Sequence, residues 1–491
     1  MKPFFTIVLF LVSHSLFAQP GYIKVFDSGG QNEISKYRDL LVDNDTIILY
    51  SSSFDVNDVQ GIRFAKLDTL GNLLLEKIYV DTQKTLTTIW YRKKIIKTSD
   101  GGYIIAGSAQ QTPYLLKVHH DLSLDFLKFY PSNFSSGNSS LIEVEDGYMM
   151  AGGQVDSSGQ NDIFVIKTDK LGNQVWRKTY GVLNLRDGAI NLNKLGDTTI
   201  VITGGRSDYV PGEQSTWTVG LIIAIDTSGN EKWEWESEQS LDQGAIWDFE
   251  RLPDSSWICI SGTWEWGLYG EYETRPMVLR MDKDFNVMWQ WIYWRLAPIQ
   301  FFTDLERTDD GNFIASGWVA AIGGRKGIHY KFTPSGDSLW MRLDSIYPDS
   351  ISGFQGMQVT GTALLSSGSI ISVGHAQRSG VNYGTYGFVM KMSPDGCIDT
   401  LNCHPVADYE PFVQADELLV YPNPVQDYVT FAGAIKGDVV ITDLLGREVK
   451  RLRMNGLSPL EWSVGDVARG LYVWRLVDDG VVLDVGKVLV E

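Results

Sequence analysis

An internal repeat between residues 19 and 403 constrains the fold of this chain more than any other feature. Each copy begins with an acidic or Ser/Gly-rich turn and an apolar run that ends in small residues. A second apolar run with its own Asp- and Gly-containing turn follows. Seven copies fill the region, at roughly 55 residues per copy. Their first segments are DTIILYS from Asp45, DGGYIIAG from Asp100, DGYMMAGG from Asp146, DTTIVITGG from Asp197, DSSWICISG from Asp254, DGNFIASG from Asp310 and SGSIISVG from Ser367.

Each copy contains four strand-like runs, which in the second copy are 94–98, 103–107, 114–118 and 124–130. Four short antiparallel strands per unit are typical of a β-propeller blade. A solenoid is the alternative, but its two apolar ends would need caps that a closed ring avoids. The repeat therefore predicts a seven-bladed β-propeller. The segment Tyr22–Phe26 resembles the last strand of a blade, so we expect it to pair with the seventh blade and close the ring.

The turn before the last strand reads Asp-x-x-Gly-Asn at 68–72, 169–173 and 226–230. The Asp side chain can cap such a turn, and Gly supplies the positive φ that the hairpin requires. We expect the aromatic residues of the strands that follow to pack between blades; they are Trp176, Trp233, Trp289 and Trp340. This pattern loosely resembles the tryptophan-docking repeat of quinoprotein-like propellers. The chain departs from it because it has no vicinal cysteine pair and nothing that marks a quinone or metal site.

The first 18 residues have the features of a signal peptide. Lys2 precedes the apolar run Phe4–Val12, and Ala18 offers a small residue for cleavage. The run is too short to span a bilayer, which takes about 20 apolar residues. The net charge of −18, from 60 acidic and 42 basic residues, disfavours nucleic acid and anionic lipid as partners. These features predict an exported protein that does not bind nucleic acid.

The composition changes after the repeat. Residues 404–415 are polar and contain Pro405 and Pro411, which is typical of a linker. Residues 416–491 carry short alternating runs separated by glycines, which predicts a small β-sandwich. The expected fold is therefore all-β: a seven-bladed β-propeller at 19–403 followed by a small C-terminal β-sandwich.

Four motifs in this last region occur in order: YPNP at 421–424, ITDLLGREV at 441–449, GLYVWRL at 470–476 and GKVLVE at 486–491. Together they resemble the type A C-terminal sorting domain of the Bacteroidetes type IX secretion system, also called the Por secretion system. The resemblance implies that this machinery is a partner and moves the protein across the outer membrane. It also implies removal of the domain, followed by release or attachment to the cell surface. The positions that would carry the sorting signal are Tyr421, Pro422, Asn423, Pro424, Gly446, Gly470, Tyr472 and Lys487.

The chain contains no known metalloprotease, phosphate-loop or nucleophile-elbow motif. Adjacent His119 and His120 on a strand would point to opposite faces, so they could not bind one ion together. We therefore expect no catalytic residue, no metal site and no cofactor, although oxygen atoms of the loop 156–162 could hold calcium. Cys397 and Cys403 could form a disulfide in an exported chain.

Loop length distinguishes the two rims of the predicted ring. The first and last hairpins of each copy are tight and open onto one rim, whereas the middle hairpins open onto the other and are predicted as long loops at 204–219, 263–276, 317–327 and 374–387. Binding residues concentrate on variable loops of a rigid scaffold. The candidate ligand-binding residues there are Tyr209, Trp217, Trp264, Trp266, Tyr269, Tyr272, Arg275, Trp318, Arg325, His375, Arg378, Tyr383 and Tyr386. The alternative is that they merely cover the rim of the channel.

Aromatic rings beside polar groups suit a sugar ring or a protein hot spot. The sequence therefore predicts a secreted or cell-surface binding protein for a glycan or protein ligand, without catalysis. The alternative is an extracellular polysaccharide lyase or hydrolase that uses Glu265, Glu271 and Glu273, although no proton partner for them is evident.

Overall fold

The computed structural model describes residues 21–26, 36–54, 59–87, 95–131, 135–155, 161–183, 185–208, 219–237, 244–266, 272–292, 301–321, 324–344, 354–378, 384–398, 419–421, 425, 427–432, 436–444, 446–455, 460–478 and 481–490. The predicted signal peptide at 1–18 and linker at 404–415 lie outside these residues. Regular structure within them consists of β-strands alone. The described part of the chain contains no helix that is long and apolar enough to cross a membrane.

The described residues between 21 and 398 form 29 strands. In chain order they are β1 (Tyr22–Phe26), β2 (Lys36–Asp43), β3 (Thr46–Phe54), β4 (Gln60–Leu67), β5 (Leu73–Tyr79), β6 (Leu86–Thr87), β7 (Ile95–Lys97), β8 (Tyr103–Ala109), β9 (Thr112–Val118), β10 (Leu124–Phe129), β11 (Ser135–Val144), β12 (Gly147–Val155), β13 (Asn161–Asp169), β14 (Gln174–Tyr180), β15 (Leu185–Lys194), β16 (Thr199–Asp208), β17 (Val219–Asp226), β18 (Glu231–Glu236), β19 (Asp248–Arg251), β20 (Trp257–Trp266), β21 (Tyr272–Met281), β22 (Val287–Ile292), β23 (Phe301–Arg307), β24 (Phe313–Ala321), β25 (Gly324–Phe332), β26 (Ser338–Asp344), β27 (Phe354–Leu364), β28 (Ile370–Arg378) and β29 (Gly384–Met392).

These strands build seven antiparallel blades. Blades 1 to 6 are β2–β5, β6–β10, β11–β14, β15–β18, β19–β22 and β23–β26, and β27–β29 form blade 7 with β1 as its fourth strand. In blade 2 the short strands β6 and β7 share the first position. First strands of neighbouring blades pack together, for example β2 against β27 and β11 against β15, so they surround a common axis. The fold is the predicted seven-bladed propeller.

Strand β1 closes the ring as predicted. It pairs antiparallel with β29, with Tyr22 opposite Lys391 and Phe26 opposite Gly387. From this position Lys24 Nζ donates to Asn72 Oδ1 of blade 1 at 2.8 Å. An equivalent hydrogen bond links blades 2 and 3, where Lys128 Nζ of the outer strand β10 donates to Asn173 Oδ1 at 3.0 Å. The N-terminal strand thus replaces an ordinary outer strand in both its pairing and its contact with the next blade.

A hydrophobic cluster fills each of the seven interfaces between blades. Between blades 7 and 1, for instance, Val373 and Val389 pack with Leu40 and Leu49. Most central strands are buried on both faces because a neighbouring blade covers each face, and the residues on both faces are therefore mostly apolar. This explains why the apolar runs of the sequence are continuous rather than alternating.

The Asp-x-x-Gly-Asn turns have the predicted geometry. Asp169 Oδ1 accepts hydrogen bonds from the backbone of Leu171 at 2.9 Å and Asn173 at 2.8 Å, and Gly172 has a φ of +77°. A Cβ on Gly172 would also lie 2.7 Å from the ring of Phe126 in the preceding blade. The outer-strand aromatics therefore pack on the turns of neighbouring blades, and Trp340 Nε1 likewise donates to the Pro394 carbonyl at 3.3 Å.

The middle hairpins correct one expectation. Their strands extend far enough that only 209–218, 267–271, 322–323 and 379–383 lie between strands. The predicted loops 204–219, 263–276, 317–327 and 374–387 are therefore wrong in their bounds and are largely strand hairpins. Antiparallel main-chain pairing does not depend on apolar alternation. The hairpins therefore continue beyond the last core residue, where the sequence pattern stops.

The C-terminal region is a separate β-sandwich. Its strands are β30 (Leu419–Tyr421), β31 (Tyr428–Ala432), β32 (Lys436–Thr442), β33 (Glu448–Asn455), β34 (Leu460–Ser463), β35 (Gly470–Asp478) and β36 (Val481–Val490). They form two sheets, β30-β31-β34 and β33-β32-β35-β36. Residues of both sheets, including Phe431, Trp462 and Trp474, share one buried core. The predicted small β-sandwich is confirmed.

Candidate functional site

The propeller has two rims with different connections. We call the rim formed by the turns after the first and third strands of each blade the tight-turn rim. The opposite rim, formed by the middle hairpins and the crossings between blades, is the long-hairpin rim. Binding residues usually lie where a rigid scaffold carries variable segments, so the long-hairpin rim is the candidate face.

At the tight-turn rim, the described residues of blades 2, 3, 5 and 6 contain an ion pair within the blade. Lys167 Nζ lies 2.8 Å from Asp146 Oδ2, and Lys331 Nζ lies 2.7 Å from Asp310 Oδ2. The hydrogen bond from Lys167 holds the pKa of Asp146 below its usual value. A depression of about 260 Å³ between blades 6 and 7 is lined by this same Asp310–Lys331 pair. In each such pair the two opposite charges compensate each other.

Carboxylates of the innermost strands have a structural role as well. Asp304 Oδ2 accepts a 2.6 Å hydrogen bond from the backbone nitrogen of Thr362 in the next blade. Asn191 Nδ2 similarly donates to Asp248 Oδ1 at 2.6 Å. These side chains connect neighbouring blades around the channel. No group of three or more His, Cys, Asp or Glu side chains within the described residues could hold a metal ion.

The predicted ligand-binding residues fall into three sets. Tyr209, Trp217, Tyr269 and Tyr383 lie outside the described residues. Trp264, Trp266, Tyr272 and Arg378 belong to β20, β21 and β28, and only their backbones are described. Arg275, Trp318, Arg325, His375 and Tyr386 have described side chains.

The sequence predicted exposed loop positions for this last set, but three of its residues are buried. Arg275, Trp318 and His375 are strand residues with exposed fractions of only 4%, 2% and 1%. Their placement on exposed loops is therefore wrong. The middle hairpins stack against neighbouring blades before they leave the ring, and this covers side chains near the ends of their strands.

The structure nevertheless brings several predicted residues together. The Arg325 guanidinium lies over the Trp318 ring, 4.6 Å from its centroid. Arg325 also faces blade 7, where it forms a parallel bridge with Gly356. Gly356 has a φ of +100°, and a Cβ there would lie 2.2 Å from the Arg325 backbone nitrogen. Glycine therefore permits the close approach that places Arg325 beside blade 7.

His375 belongs to β28 of blade 7, the blade that Arg325 contacts. It pairs directly with Gln358 across β27 and β28, so both side chains share the face directed at blade 1. Burial lowers the pKa of His375 well below its usual value, and the positive charges of Arg38, Lys36 and Arg325 lower it further. The imidazole is therefore neutral at neutral pH.

Lys36 and Arg38 begin the innermost strand of blade 1, and burial together with Arg38 also lowers the pKa of Lys36. We call Lys36, Arg38, Arg325 and His375, with Trp318 and Gln358 beside them, the cationic cluster. Sequence reasoning missed Lys36, Arg38 and Gln358 because they lie on first strands rather than on a middle hairpin. The available signal was the Lys-Tyr-Arg alternation in an otherwise acidic chain.

Another arginine on the same rim has a different environment. Arg206 Nε lies 2.6 Å from Asp187 Oδ1, and its Nη1 lies 2.6 Å from Glu234 and 2.9 Å from Glu236. Burial opposes its charge, but the hydrogen bonds to these carboxylates outweigh burial and raise the pKa of Arg206. By contrast, Arg325 makes no ion pair within the described part of the chain.

The cysteines and the sorting motifs are partly described. Cys397 is disulfide-bonded and Cys259 is free and buried. Cys403 lies outside the described residues, so its pairing with Cys397 stays a prediction.

In the sandwich, Gly446 and Gly470 have φ values of +79° and +145°. Tyr472 is buried and its hydroxyl donates to the Ala468 carbonyl at 2.6 Å. Lys487 is exposed, the backbone of Tyr421 belongs to β30, and Pro422, Asn423 and Pro424 lie outside the description.

Comparison with solved structures yields distant similarities. The chain resembles a puromycin-hydrolyzing peptidase from Mycobacterium tuberculosis at 10% identity and a TM-score of 0.43, over 81% of this chain and 58% of the peptidase. It resembles the polysaccharide lyase Uly1 at 10% identity and a TM-score of 0.44, over 73% of this chain and 90% of the lyase. The β-propeller domain of the Trilobed protease from Pyrococcus furiosus matches at 9% identity and a TM-score of 0.38, over 72% and 95%. No protein of curated function matches the sequence.

The C-terminal region has a clear relative. Residues 419–491 match the family model of the secretion system C-terminal sorting domain. This range covers the sandwich strands and the four motifs that suggested the type IX system. The domain implies interaction with the type IX secretion machinery. The β-sandwich is therefore a type IX sorting domain, and this propeller protein is secreted by that system to the cell surface or the surrounding medium.

Proposed function

We propose that the protein is an extracellular binding protein that presents its long-hairpin rim to a glycan or protein ligand. The observation that carries the proposal is the cationic cluster, which combines arginine, lysine, histidine and tryptophan from blades 6, 7 and 1 at one place on this rim. Elsewhere among the described residues, buried or half-buried cations such as Lys117, Lys167 and Arg206 are matched by carboxylates.

Export supports the same proposal. A sorting domain delivers the propeller to the outside of the cell, where polysaccharides and surface proteins are available as ligands. The rigid ring positions several strand hairpins on one face, and such preorganisation reduces the entropy lost on binding.

The test uses the aromatic residues of the middle hairpin of blade 5. We expect replacement of Trp264, Trp266 and Tyr272 by Ala to lower affinity for the ligand at least ten-fold, since aromatic anchors contribute about 2 kcal/mol or more each. A glycan array probed with the purified protein, followed by calorimetry with the best ligand, measures this effect. The matched control replaces Thr69 and Lys170 by Ala on the tight-turn rim and should leave affinity unchanged. An unaltered affinity in the triple variant, with a folded protein, would place the binding face elsewhere.

A polysaccharide-degrading enzyme is the second candidate. The backbone register of β20 and β21 places Glu265 directly opposite Glu273, and glycoside hydrolases use a pair of carboxylic acids. Incubation of the protein with a bound polysaccharide distinguishes the two candidates. Release of oligosaccharides that stops in a Glu265→Gln variant would favour the enzyme, whereas binding without release favours the binding protein.

A further inference from the structure

The depression between blades 6 and 7 is an open pocket on the tight-turn rim, and we call it the blade 6–7 pocket. Its volume is about 260 Å³, and its apolar wall includes Leu364, Ile370 and Pro394. A water molecule takes about 30 Å³ of liquid volume, so the pocket has room for a side chain or a small ligand. Because the blades repeat, the same place can be located at another junction and its contents compared.

The junction of blades 2 and 3 contains the equivalent place. The turns 169–173 and 393–397 are closed by the same two backbone hydrogen bonds, and so are the turns 98–102 and 308–312. The first hairpins of blades 3 and 7 also match, since position 143 pairs with 148 and position 364 pairs with 370. Three pairs of positions are therefore equivalent: Lys170 and Pro394, Ser99 and Asp309, and Glu143 and Leu364.

At the junction of blades 2 and 3 a lysine side chain occupies this place. Lys170 Nζ donates to the carboxylate of Glu143 and, at 3.4 Å, to the hydroxyl of Ser99. The backbone nitrogen and the hydroxyl of Ser99 donate to the same carboxylate at 2.8 and 2.7 Å. The ammonium group also lies 5.6 Å from the centroid of the Tyr148 ring. The fold thus accommodates an alkyl chain that ends in an ammonium group between two blades.

The blade 6–7 pocket lacks this internal lysine but keeps a carboxylate. Pro394 replaces the lysine and Leu364 replaces the glutamate, whereas Asp309 replaces the serine and lines the pocket. The side chain of Asp309 forms no hydrogen bond or ion pair with the rest of the described chain. Among the residues that line the pocket Lys331 is the only cation, and Asp310 holds it at 2.7 Å. Two acids and one base leave the lining with a net charge of −1.

This charge selects between ligand classes. A neutral ligand would leave the carboxylate of Asp309 uncompensated, and an anion would be repelled by it. Calcium needs six or more oxygen ligands, and no cluster of three His, Cys, Asp or Glu side chains suited to a metal ion occurs in the described residues. An ammonium group on an alkyl chain matches both the carboxylate and the apolar wall, because lysine stems pack on apolar surface while their charged ends stay polar.

We infer that the blade 6–7 pocket binds a lysine side chain presented by a partner protein. The alkyl chain would lie against Leu364, Ile370 and Pro394, and the ammonium group would pair with Asp309. The partner lysine would thereby take the place that Lys170 holds within blade 3. This inference goes beyond the proposed function, since it assigns a second binding site on the opposite rim of the ring.

The test is an NMR titration of the full-length secreted protein with short peptides. The probe is a glycyl-lysyl-glycine peptide with blocked ends, and the matched peptides carry norleucine or Nε-acetyl-lysine instead of lysine. We expect the lysine peptide to bind about five-fold more tightly than either matched peptide, which is the effect of one partly exposed charge pair. Free cadaverine, which has the same ammonium-terminated chain without a peptide backbone, should bind more weakly than the lysine peptide.

Variants locate the binding. Asp309→Asn should lower the affinity for the lysine peptide about five-fold, whereas Asp197→Asn, in the first turn of blade 4, should leave it unchanged. Leu364→Glu combined with Pro394→Lys should rebuild the contact seen between blades 2 and 3 and abolish peptide binding. Lys170→Ala should instead add a second binding site, because it vacates the equivalent place. Thermal unfolding establishes that each variant is folded.

Several results would overturn the inference. Equal binding of the lysine and norleucine peptides, or no binding of the lysine peptide, would refute it. Tighter binding of cadaverine would assign the pocket to small amines rather than to a partner protein. Unchanged affinity in the folded Asp309 variant or in the folded double variant would place lysine binding elsewhere. None of these results changes the expected effect of Trp264, Trp266 and Tyr272 on the ligand of the long-hairpin rim, so the two proposals fail separately.

Discussion

Arg206 and Arg325 lie on the same rim of the same ring but have opposite surroundings. Arg206 forms ion pairs with Asp187, Glu234 and Glu236, and these carboxylates compensate its positive charge. Arg325 instead lies against Trp318 and shares its region with Lys36, Arg38 and His375. A buried ion pair is strongly destabilised when one partner is lost. The comparison indicates that Arg206 stabilises blade 4, whereas Arg325 is available for recognition.

The largest effect should come from opening the ring. Deletion of Tyr22–Phe26 removes the fourth strand of blade 7 and leaves β29 as an exposed edge, which favours aggregation. Hydrogen–deuterium exchange of the soluble fraction should show the greatest loss of protection in blades 7 and 1. The Arg206 region of blade 4 should lose least. Uniform loss of protection around the ring, or an unchanged stable monomer, would contradict this role of β1.

The two arginines can be compared directly by substitution. Arg206→Gln leaves Asp187, which is fully buried, without its cation and should lower the free energy of unfolding by about 3 kcal/mol. Arg325→Gln removes a half-buried stacking contact and should lower it by less than about 1 kcal/mol. Urea denaturation of both variants measures the difference. Similar losses in the two variants would remove the distinction between a stabilising and a recognising arginine.

A smaller effect concerns acid stability at the cationic cluster. The pKa of His375 lies well below the usual 6.5 because of burial and then the charges of Arg38, Lys36 and Arg325. Since the unfolded chain takes up the proton first, the contribution of His375 to stability is complete above pH 6.5 and is lost as the pH falls towards the folded-state pKa. Between about pH 7.5 and 5.5, His375→Gln should reduce the loss of stability by about 1.4 kcal/mol relative to the native protein.

Urea denaturation at the two pH values measures this difference, with His119→Gln at an exposed position as the control. The control should retain the pH dependence of the native protein. Equal pH dependence in all three proteins would show that folding does not lower the pKa of His375.

Much of the fold was predictable because it is repeated or local. The Asp-x-x-Gly-Asn turn at 169–173 is specified by its own five residues, and its capping bonds are all internal to the turn. The closing role of Tyr22–Phe26 followed from its likeness to other outer strands, and the pairing with β29 confirms it. The sorting domain was recognisable from its four motifs because each of them is a short contiguous segment, and residues 419–491 match the sorting-domain family.

The candidate site was only partly predictable. Trp318, Arg325 and His375 were identified as a set of rim residues, but their burial was not, because neighbouring blades cover them. Arg275 was grouped with them on the basis of loop length, and the structure places it in blade 5, outside the cluster. Arg206 was not identified at all, since its three carboxylates come from two other strands, β15 and β18.

The sequence alone determined the features that a single copy of the repeat or a single motif encodes: strand-forming runs, capped turns, seven repeats, and an export signal in the C-terminal sandwich. The tertiary structure decided which charges meet. Lys36 and His375 lie near opposite ends of the propeller sequence and become neighbours only because the ring closes between blades 7 and 1. Hydrogen bonding within a hairpin is local and leaves a periodic signal, whereas electrostatic contact between blades depends on distance in space.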